Sequence, residues 1–248
     1  MNETRDANKT AGIIIIGNEI LSGKVHDSNS FYLASELRSL GVDVMRISVI
    51  PDDIEIIGIE AKGFSGKYDF VLTSGGVGPT HDDVTMAGIA KGFGVKLIKN
   101  PELEKRFRLR YGDSINDAIM KMADVPEGTT IISLGDNSFP LVTFRNIYIF
   151  PGIPEYLRKK FSAIKERFRS ASFYLKRLFL NANESDIAAI LNTVVTGNIK
   201  VTLGSYPVLG NPEYQIMITA ESRSEGALKK AVDELFSMLP KEIVVRIE

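Results

Sequence analysis

The feature that most limits the possible folds is a short, unbroken apolar run, Ala11–Ile16, which ends at Gly17. An Ile-rich run of this length, without alternating polar residues, is typical of a strand that is buried on both faces of a parallel sheet. After this strand, the spacing of apolar residues and the cap residues predict alternating helices and strands. The helices are expected at residues 28–40, 53–64 and 83–93, and the strands at residues 42–50 and 68–73. Repeated strand–helix units predict an α/β fold, a three-layer α/β/α sandwich.

The rest of this first domain is less regular. Two helical stretches at residues 101–111 and 114–122 are predicted to form an insert. After them we expect strands at residues 130–134, 141–144 and 147–150, then the turn Pro151–Pro154 and a basic helix that ends near Phe168. The domain is therefore placed at residues 11–170, behind a frayed polar tail at residues 1–10.

The pattern changes near residue 173. Residues 173–248 alternate in the order β-α-β-β-α-β, which predicts a small ferredoxin-like α+β domain. Its polar cluster, Asn183–Asp186, is explained as a helix start, with Asn183 as the cap and acids in the first turn. We expect this domain to contribute packing or subunit contacts rather than chemistry.

Charge and composition exclude several functions. Thirty basic and 31 acidic residues leave a formal charge of -1, so no global positive field favours nucleic acid or an anionic membrane. The absence of cysteine excludes disulfides and thiolate chemistry, and two histidines cannot build a multi-His metal site. The polar start lacks a signal-peptide core, and no apolar run is long enough to cross a bilayer. A cytoplasmic protein without nucleic-acid or membrane partners is expected.

The strongest chemical motif is the Gly-rich segment TSGGVGPTHDDVT, residues 73–85, between a strand and a helix. Its glycines leave backbone N–H groups unobstructed, and the helix directs its positive dipole end at the same place, which favours a bound phosphate. Hydroxyl groups can add donors. The predicted phosphate-binding residues are Ser74, Gly75, Gly76, Gly78, Pro79 and Thr80. The alternative is a tight turn without a ligand.

Two acids follow this loop directly. Asp82 and Asp83 would repel a phosphate unless a divalent cation bridged them, which predicts metal binding. The alternative is structural, because acids suit the first turn of a helix and Thr80 with Asp83 has the spacing of a capping box.

Two further strand ends add polar groups. The first loop, GNEILSG and the residues after it, offers candidate ligand-binding positions: Gly17, Asn18, Glu19, Ser22, Gly23, Asp27 and Asn29. The alternative is an irregular connection in which Asp27 caps a helix. Asp52 follows the second strand, and its spacing to Glu55 makes a helix cap the simplest account. Pro151 and Gly152 end a later strand at the expected ligand face.

The motifs GNEILSG, SGGVGPTHDDVT, FPGIPE, ANESDIAAIL and GSYP occur in this order along the chain. Together they resemble the CinA (competence/damage-inducible protein) family and the molybdopterin-binding-like domain of eukaryotic FAD synthases, over almost the whole chain. The first domain is similar more broadly to the molybdenum-cofactor biosynthesis proteins MogA and MoaB and to gephyrin, which share a GGxGP loop followed by an acid at the position of Asp83.

The resemblance implies a phosphate pocket in the α/β/α core and a homo-oligomer, a dimer or trimer, whose subunits can complete each other's sites. It also implies a role for Asp52, because in the relatives acids at the positions of Asp52 and Asp83 are needed for nucleotidyl chemistry. The CinA branch is associated with metal-dependent hydrolysis of ADP-ribose, and the FAD synthase branch with FAD hydrolysis. Further domains of those proteins have no counterpart in this sequence, so their activities are not expected.

We therefore expect a metal-dependent pyrophosphatase in which Asp83 and Asp52 are catalytic and, with Asp82, hold Mg²⁺, Mn²⁺ or Co²⁺. One alternative is a module that binds or carries a nucleotide or pterin phosphate without turnover. Another is an oligomeric scaffold that has lost its chemistry, which the presence of Asp52 and Asp83 disfavours.

Overall fold

The computed structural model describes residues 8–135 and 138–248. The chain divides into two compact units, Met1–Ser170 and Ala171–Glu248. Most of the predicted N-terminal tail lies outside the described residues. The predicted tail extends one residue too far, because Thr10 is already the first residue of β1. The Thr10 N–H donates to Asp69 at 2.8 Å, which fixes this end of the strand.

The first unit contains eight strands and seven α-helices among its described residues. In chain order they are β1 (Thr10–Ile16), α1 (Asn18–Leu21), α2 (Asn29–Ser39), β2 (Asp43–Ile50), α3 (Ile54–Ser65), β3 (Phe70–Ser74), α4 (Thr85–Phe93), β4 (Leu97–Lys99), α5 (Pro101–Tyr111), α6 (Asp117–Lys121), β5 (Asp124–Pro126), β6 (Thr130–Ile132), β7 (Leu141–Phe144), β8 (Ile147–Phe150) and α7 (Pro154–Ile164).

Six of these strands form one sheet in the order β2-β1-β3-β8-β7-β6. The first four run parallel, whereas β7 and β6 are antiparallel to their neighbours, so the sheet is mixed rather than wholly parallel. Alternate residues of β1 face opposite layers: Ile13 packs with α2 and α7, and Ile14 packs with α3 and α4. Helices therefore cover both faces, and the predicted three-layer sandwich is confirmed.

The insert differs in detail from its prediction. Helix α5 begins at Pro101 as expected, and the side chain of Asn100 accepts from the Glu102 and Leu103 N–H groups. The second helix is shorter than predicted and ends at Lys121. Strands β4 and β5 flank the insert and pair as a two-stranded antiparallel ribbon, which the sequence pattern did not indicate.

The second unit has the predicted β-α-β-β-α-β order. Its elements are β9 (Tyr174–Leu180), α8 (Glu184–Gly197), β10 (Thr202–Pro207), β11 (Ile216–Ser222), α9 (Glu225–Met238) and β12 (Val244–Ile247). The antiparallel sheet has the order β10-β11-β9-β12, and buried positions alternate along β11. One face is thus apolar, and it packs in a single core with residues of α8 and α9. This small α+β unit agrees with the predicted ferredoxin-like fold.

The helices are short throughout. The longest ones in the described chain, α8 and α9, have 14 residues each. Within residues 8–135 and 138–248, no helix combines the length and the apolar character that a bilayer crossing requires.

Candidate functional site

The carboxyl ends of four adjacent parallel strands, β2, β1, β3 and β8, meet at one edge of the large sheet. Backbone hydrogen bonds continue past the strands and hold the loops together: Gly17 N–H donates to Ile50 C=O at 3.1 Å, and Gly75 N–H donates to Phe150 C=O at 3.2 Å. In open α/β sheets this edge is where ligands bind. All the candidate site residues of the sequence follow these strands.

The Gly-rich loop after β3 turns sharply beside β1. Gly75 has a φ of 110°, and a Cβ added there would lie 2.0 Å from the Ile16 carbonyl oxygen, so only glycine fits. Beyond it, the backbone N–H groups of Gly76, Val77 and Gly78 donate to no acceptor among the described residues. Three successive N–H groups without an acceptor in the described chain are donors of the kind that bind an anion such as phosphate, so the predicted role of this loop stays open to test.

The two hydroxyl groups expected to assist this cradle are engaged elsewhere. Ser74 is 1% exposed and its hydroxyl donates to the Pro151 carbonyl at 3.2 Å. Thr80 donates its hydroxyl and, at 2.8 Å, its N–H to Asp83 Oδ2. These bonds hold the shape of the loop, and phosphate binding by Ser74 and Thr80 stays a prediction. Pro79 lies in the exposed part of the same turn.

Asn29 connects three of the site's segments. Its side-chain amide Nδ2 donates to Ser74 Oγ at 3.0 Å and to the Gly152 carbonyl at 2.7 Å. The residue is 7% exposed, and its Oδ1 is buried without a hydrogen-bond partner. The Gly152 carbonyl can only accept a hydrogen bond, so the atom of Asn29 that faces it must be the nitrogen Nδ2 and not the oxygen Oδ1. Asn29 therefore joins the start of α2 to the ends of β3 and β8.

Asp83 lies beside the cradle rather than inside the next helix. Helix α4 begins at Thr85, so Asp83 is not an acid of its first turn. A Cβ added at Gly78 would lie 2.7 Å from Asp83 Oδ2, which shows how closely the carboxylate approaches the loop. Oδ2 accepts both bonds from Thr80, whereas Oδ1 accepts none from the described residues. One oxygen of Asp83 remains available to a ligand or cation.

Asp52 is not the helix cap that its spacing suggested. Asp53 caps α3, since its Oδ1 accepts from the Glu55 and Ile56 N–H groups. Asp52 instead reaches across to the neighbouring strand end, and its Oδ2 accepts from the Asn18 N–H at 2.8 Å. Because β1 lies between β2 and β3, Asp52 and Asp83 belong to the loops that follow the two strands flanking β1.

Several polar groups of the first loop bond within the loop itself. The Ser22 hydroxyl donates to the Glu19 carbonyl and the Gly23 N–H to the Ile20 carbonyl, so both donors are engaged within α1 and the turn after it. Asp27 Oδ1 accepts from the Asn29 and Ser30 N–H groups at the start of α2, which agrees with the structural alternative, while its role in ligand binding stays a prediction. Glu19 folds back over Gly17, where an added Cβ would lie 2.5 Å from its Oε1.

The acids do not form a complete metal site by themselves. Within the described residues, no group of three or more Asp, Glu or His side chains could hold a metal ion. Asp82 lies in the exposed turn with its carboxylate 3.9 Å from Nδ1 of His81, which is 98% exposed.

One cation at the site was not identified from the sequence. Lys121, the last residue of α6, donates its Nζ to the Thr80 carbonyl at 3.0 Å and to the Asp83 carbonyl at 3.4 Å. A lysine at the end of an exposed helix is usually solvated, so its position in the pattern gave no signal.

The first unit matches the family model described as "Probable molybdopterin binding domain" over residues 12–170, and the chain therefore belongs to this family. Residues 172–248 match a second model, "FAD synthase, middle domain". Both matches confirm the predicted resemblance.

Individual relatives agree with this assignment. A protein of Archaeoglobus fulgidus is 37% identical over 92% of this chain and 96% of its own length. The "Probable FAD synthase" of Caenorhabditis elegans is 33% identical over 95% of this chain, which spans 51% of that relative. A crystal structure described as the protein CinA with unknown function, from Thermoplasma acidophilum, covers 65% of this chain and 99% of its own with 29% identity and a TM-score of 0.60. The predicted α/β fold is thus confirmed.

Proposed function

We propose that this chain hydrolyses the pyrophosphate bond of a dinucleotide such as ADP-ribose or FAD, with a divalent cation, Mg²⁺, Mn²⁺ or Co²⁺, held by Asp83 and Asp52. One observation carries the proposal: three unpaired N–H groups, at residues 76–78, lie at the same sheet edge as these two carboxylates. Donors for a phosphate and acceptors for a cation therefore occur together.

Each group has a distinct task in this mechanism. The N–H groups of Gly76, Val77 and Gly78 bind one phosphate and stabilise the charge that develops on its oxygens. Asp83 and Asp52 offer one unengaged oxygen each, and their other oxygens are fixed by backbone N–H donors, which pre-orients both carboxylates. A divalent cation bound there would polarise the phosphate and lower the pKa of a coordinated water.

The choice of ligand rests on the relatives. The matched second family and the similar C. elegans protein are both named for FAD synthase, which supports a dinucleotide containing a flavin or adenosine. The expected homo-oligomer remains a prediction, and the molar mass from light scattering would test it.

A second candidate is the binding or carrying of a molybdopterin-like or nucleotide phosphate without turnover. It is favoured by the lack of a third acidic ligand among the described residues and by the description of the matched family. The N–H cradle would serve this role unchanged, because phosphate binding needs no metal.

The two candidates differ in their products. We would incubate the purified chain with Mg²⁺, Mn²⁺ or Co²⁺ and with ADP-ribose, FAD, NAD or ATP, and analyse the mixtures for mononucleotides. Release of AMP with FMN or ribose phosphate, abolished by EDTA, is expected for the hydrolase. Tight binding without products would establish the carrier instead.

A further inference from the structure

The turn from Thr80 to Asp83 sets the direction of the Asp83 carboxylate. Within it, Asp83 N–H donates to the Thr80 carbonyl at 3.3 Å, and Thr80 donates its N–H back to Asp83 Oδ2 at 2.8 Å. These bonds close the turn upon itself, and the Thr80 carbonyl accepts within it, whereas the Asp83 carbonyl accepts no hydrogen bond from inside the turn and needs a partner elsewhere. The turn is exposed, so local bonds alone would leave it free to open.

Lys121 supplies that partner from a different part of the chain. Its Nζ contacts the carbonyls of Thr80 and Asp83, which are 41 and 38 positions away in sequence. Two neighbours on α6, Ile119 and Met120, pack against the core, so the helix that presents the lysine is anchored. A charged donor strengthens a hydrogen bond, and the bond to the Thr80 carbonyl, at 3.0 Å, is the shorter of the two.

We propose that Lys121 is a positioning residue of the site: it fixes the Thr80–Asp83 turn, and through it the Asp83 carboxylate, and it places a positive charge beside the phosphate cradle. This inference rests on the proposed function. It assigns a role to the insert that contains α5 and α6, because Lys121 of this insert brings a positive charge to a loop that contains Asp82 and Asp83.

The main alternative is that Lys121 only stabilises the end of α6, where a cation favours the helix dipole. Lys99 provides a matched control, because its Nζ also contacts α6, at the Met120 carbonyl, and pairs with Asp124, but it does not touch the loop. Lys99→Met and Lys121→Met therefore remove the same charge from neighbouring positions. Lys121→Arg retains a donor that can reach both carbonyls.

Two measurements separate these roles in the full chain. The first is hydrogen exchange of the amides of residues 80–83, and the second is the affinity for inorganic pyrophosphate with Mg²⁺, by calorimetry. Lys121→Met should accelerate exchange in the turn and weaken pyrophosphate binding by about tenfold or more, as expected for loss of bonds to a charged group. Lys121→Arg should restore most of both, and Lys99→Met should change neither.

Equal exchange and equal affinity in Lys121→Met and Lys99→Met would overturn the inference. Wild-type chain that binds pyrophosphate yet hydrolyses no dinucleotide would refute the hydrolase alone, and the affinities of the variants would still decide the role of Lys121. Wild-type chain without any pyrophosphate affinity would remove the phosphate site and the role of Lys121 together.

Discussion

The polar segments before α4 and α8 use similar residue types with opposite results. At the start of α8, Asp186 accepts from both the backbone and the side-chain nitrogen of Asn183, and its own N–H donates to the Asn183 carbonyl, so these two residues pair with each other. Before α4, Asp83 accepts hydrogen bonds from the N–H and the hydroxyl of Thr80, but the N–H groups of residues 76–78 have no acceptor in the described chain. An acid near a helix start therefore does not by itself mark a ligand site, and the proposal for the loop before α4 rests on the three N–H groups beside its acid.

The largest expected effect is the loss of turnover in Asp83→Asn. The change removes one negative charge at nearly constant volume, and the amide oxygen can still accept from Thr80, so the turn should persist. Metal-dependent hydrolysis should fall by about a hundredfold or more, as for other electrostatic groups at a reacting centre. The rate of ADP-ribose and FAD cleavage measures it, and EDTA should reduce the wild type alone. A wild-type rate with unchanged metal dependence would leave Asp83 with the same structural role as Asp186.

The second largest effect is expected for Asn29, whose side chain connects the loops at the ends of β3 and β8. Asn29→Ala removes both bonds of a buried amide and leaves Ser74 Oγ without its donor. We expect the free energy of unfolding to fall by about 2–3 kcal/mol, the cost of two such bonds, and pyrophosphate affinity to weaken as well. Urea unfolding and calorimetry would test this, with Asn192→Ala on the exposed face of α8 as the control. Unaltered affinity would show that the cradle forms without Asn29.

A smaller effect depends on pH. Burial lowers the pKa of Lys160 to about 8, and its Nζ donates to the Phe139 and Pro140 carbonyls just before β7. Between pH 8 and its ordinary value of 10.5, the folded chain has released this proton while the unfolded chain still holds it. The unfolded state then binds more protons, so stability from this group rises with pH, by about 2 kcal/mol over the window.

Lys160→Met should lack this rise. Urea unfolding at pH 7.5 and pH 10 would show the difference in unfolding free energy, wild type minus variant, increasing with pH. If the unfolding free energies of the wild type and the variant changed equally between these two pH values, the lowered pKa of Lys160 would be contradicted.

The smallest expected effect lies in the second unit. Asn183→Ala removes the residue that begins α8 and should lower the free energy of unfolding by about 1 kcal/mol. Pyrophosphate affinity should not change, because the three N–H groups proposed to bind phosphate, at residues 76–78, lie in the first unit. A loss of affinity in this variant would place part of the ligand site in residues 171–248 and contradict the comparison.

The sequence predicted the layers of the fold better than the details of the site. Long periodic elements such as α2 and the buried strand β1 were found within one or two residues, because burial fixes their pattern. Strands β4 and β5 were missed because each has only three residues, which is too few to show the alternation of apolar and polar residues that predicts a strand.

At the site, the sequence indicated which loops matter but not what their side chains bond. From their positions in the sequence, the adjacent acids Asp52 and Asp53 are equally good candidates for the cap of α3. The structure shows that Asp53 is the cap, whereas Asp52 accepts from the Asn18 N–H because the ends of β1 and β2 are neighbours. The engagement of the Ser74 hydroxyl depends on Pro151, which is 77 positions away in sequence. Such contacts between distant loops are set by the packing of the sheet and have no local signature.

The bonds of Asn29 also constrain the order in which the chain can assemble during synthesis. Its two acceptors lie 45 and 123 positions away, so the first bond can form once β3 has emerged, whereas the second must wait for Gly152. Until then β3 lacks its neighbour β8, and its edge is open. Contacts of such long sequence separation form slowly, because closing large loops costs entropy before packing compensates for it. A nascent chain therefore holds the phosphate loop for some time without the strand that completes its support.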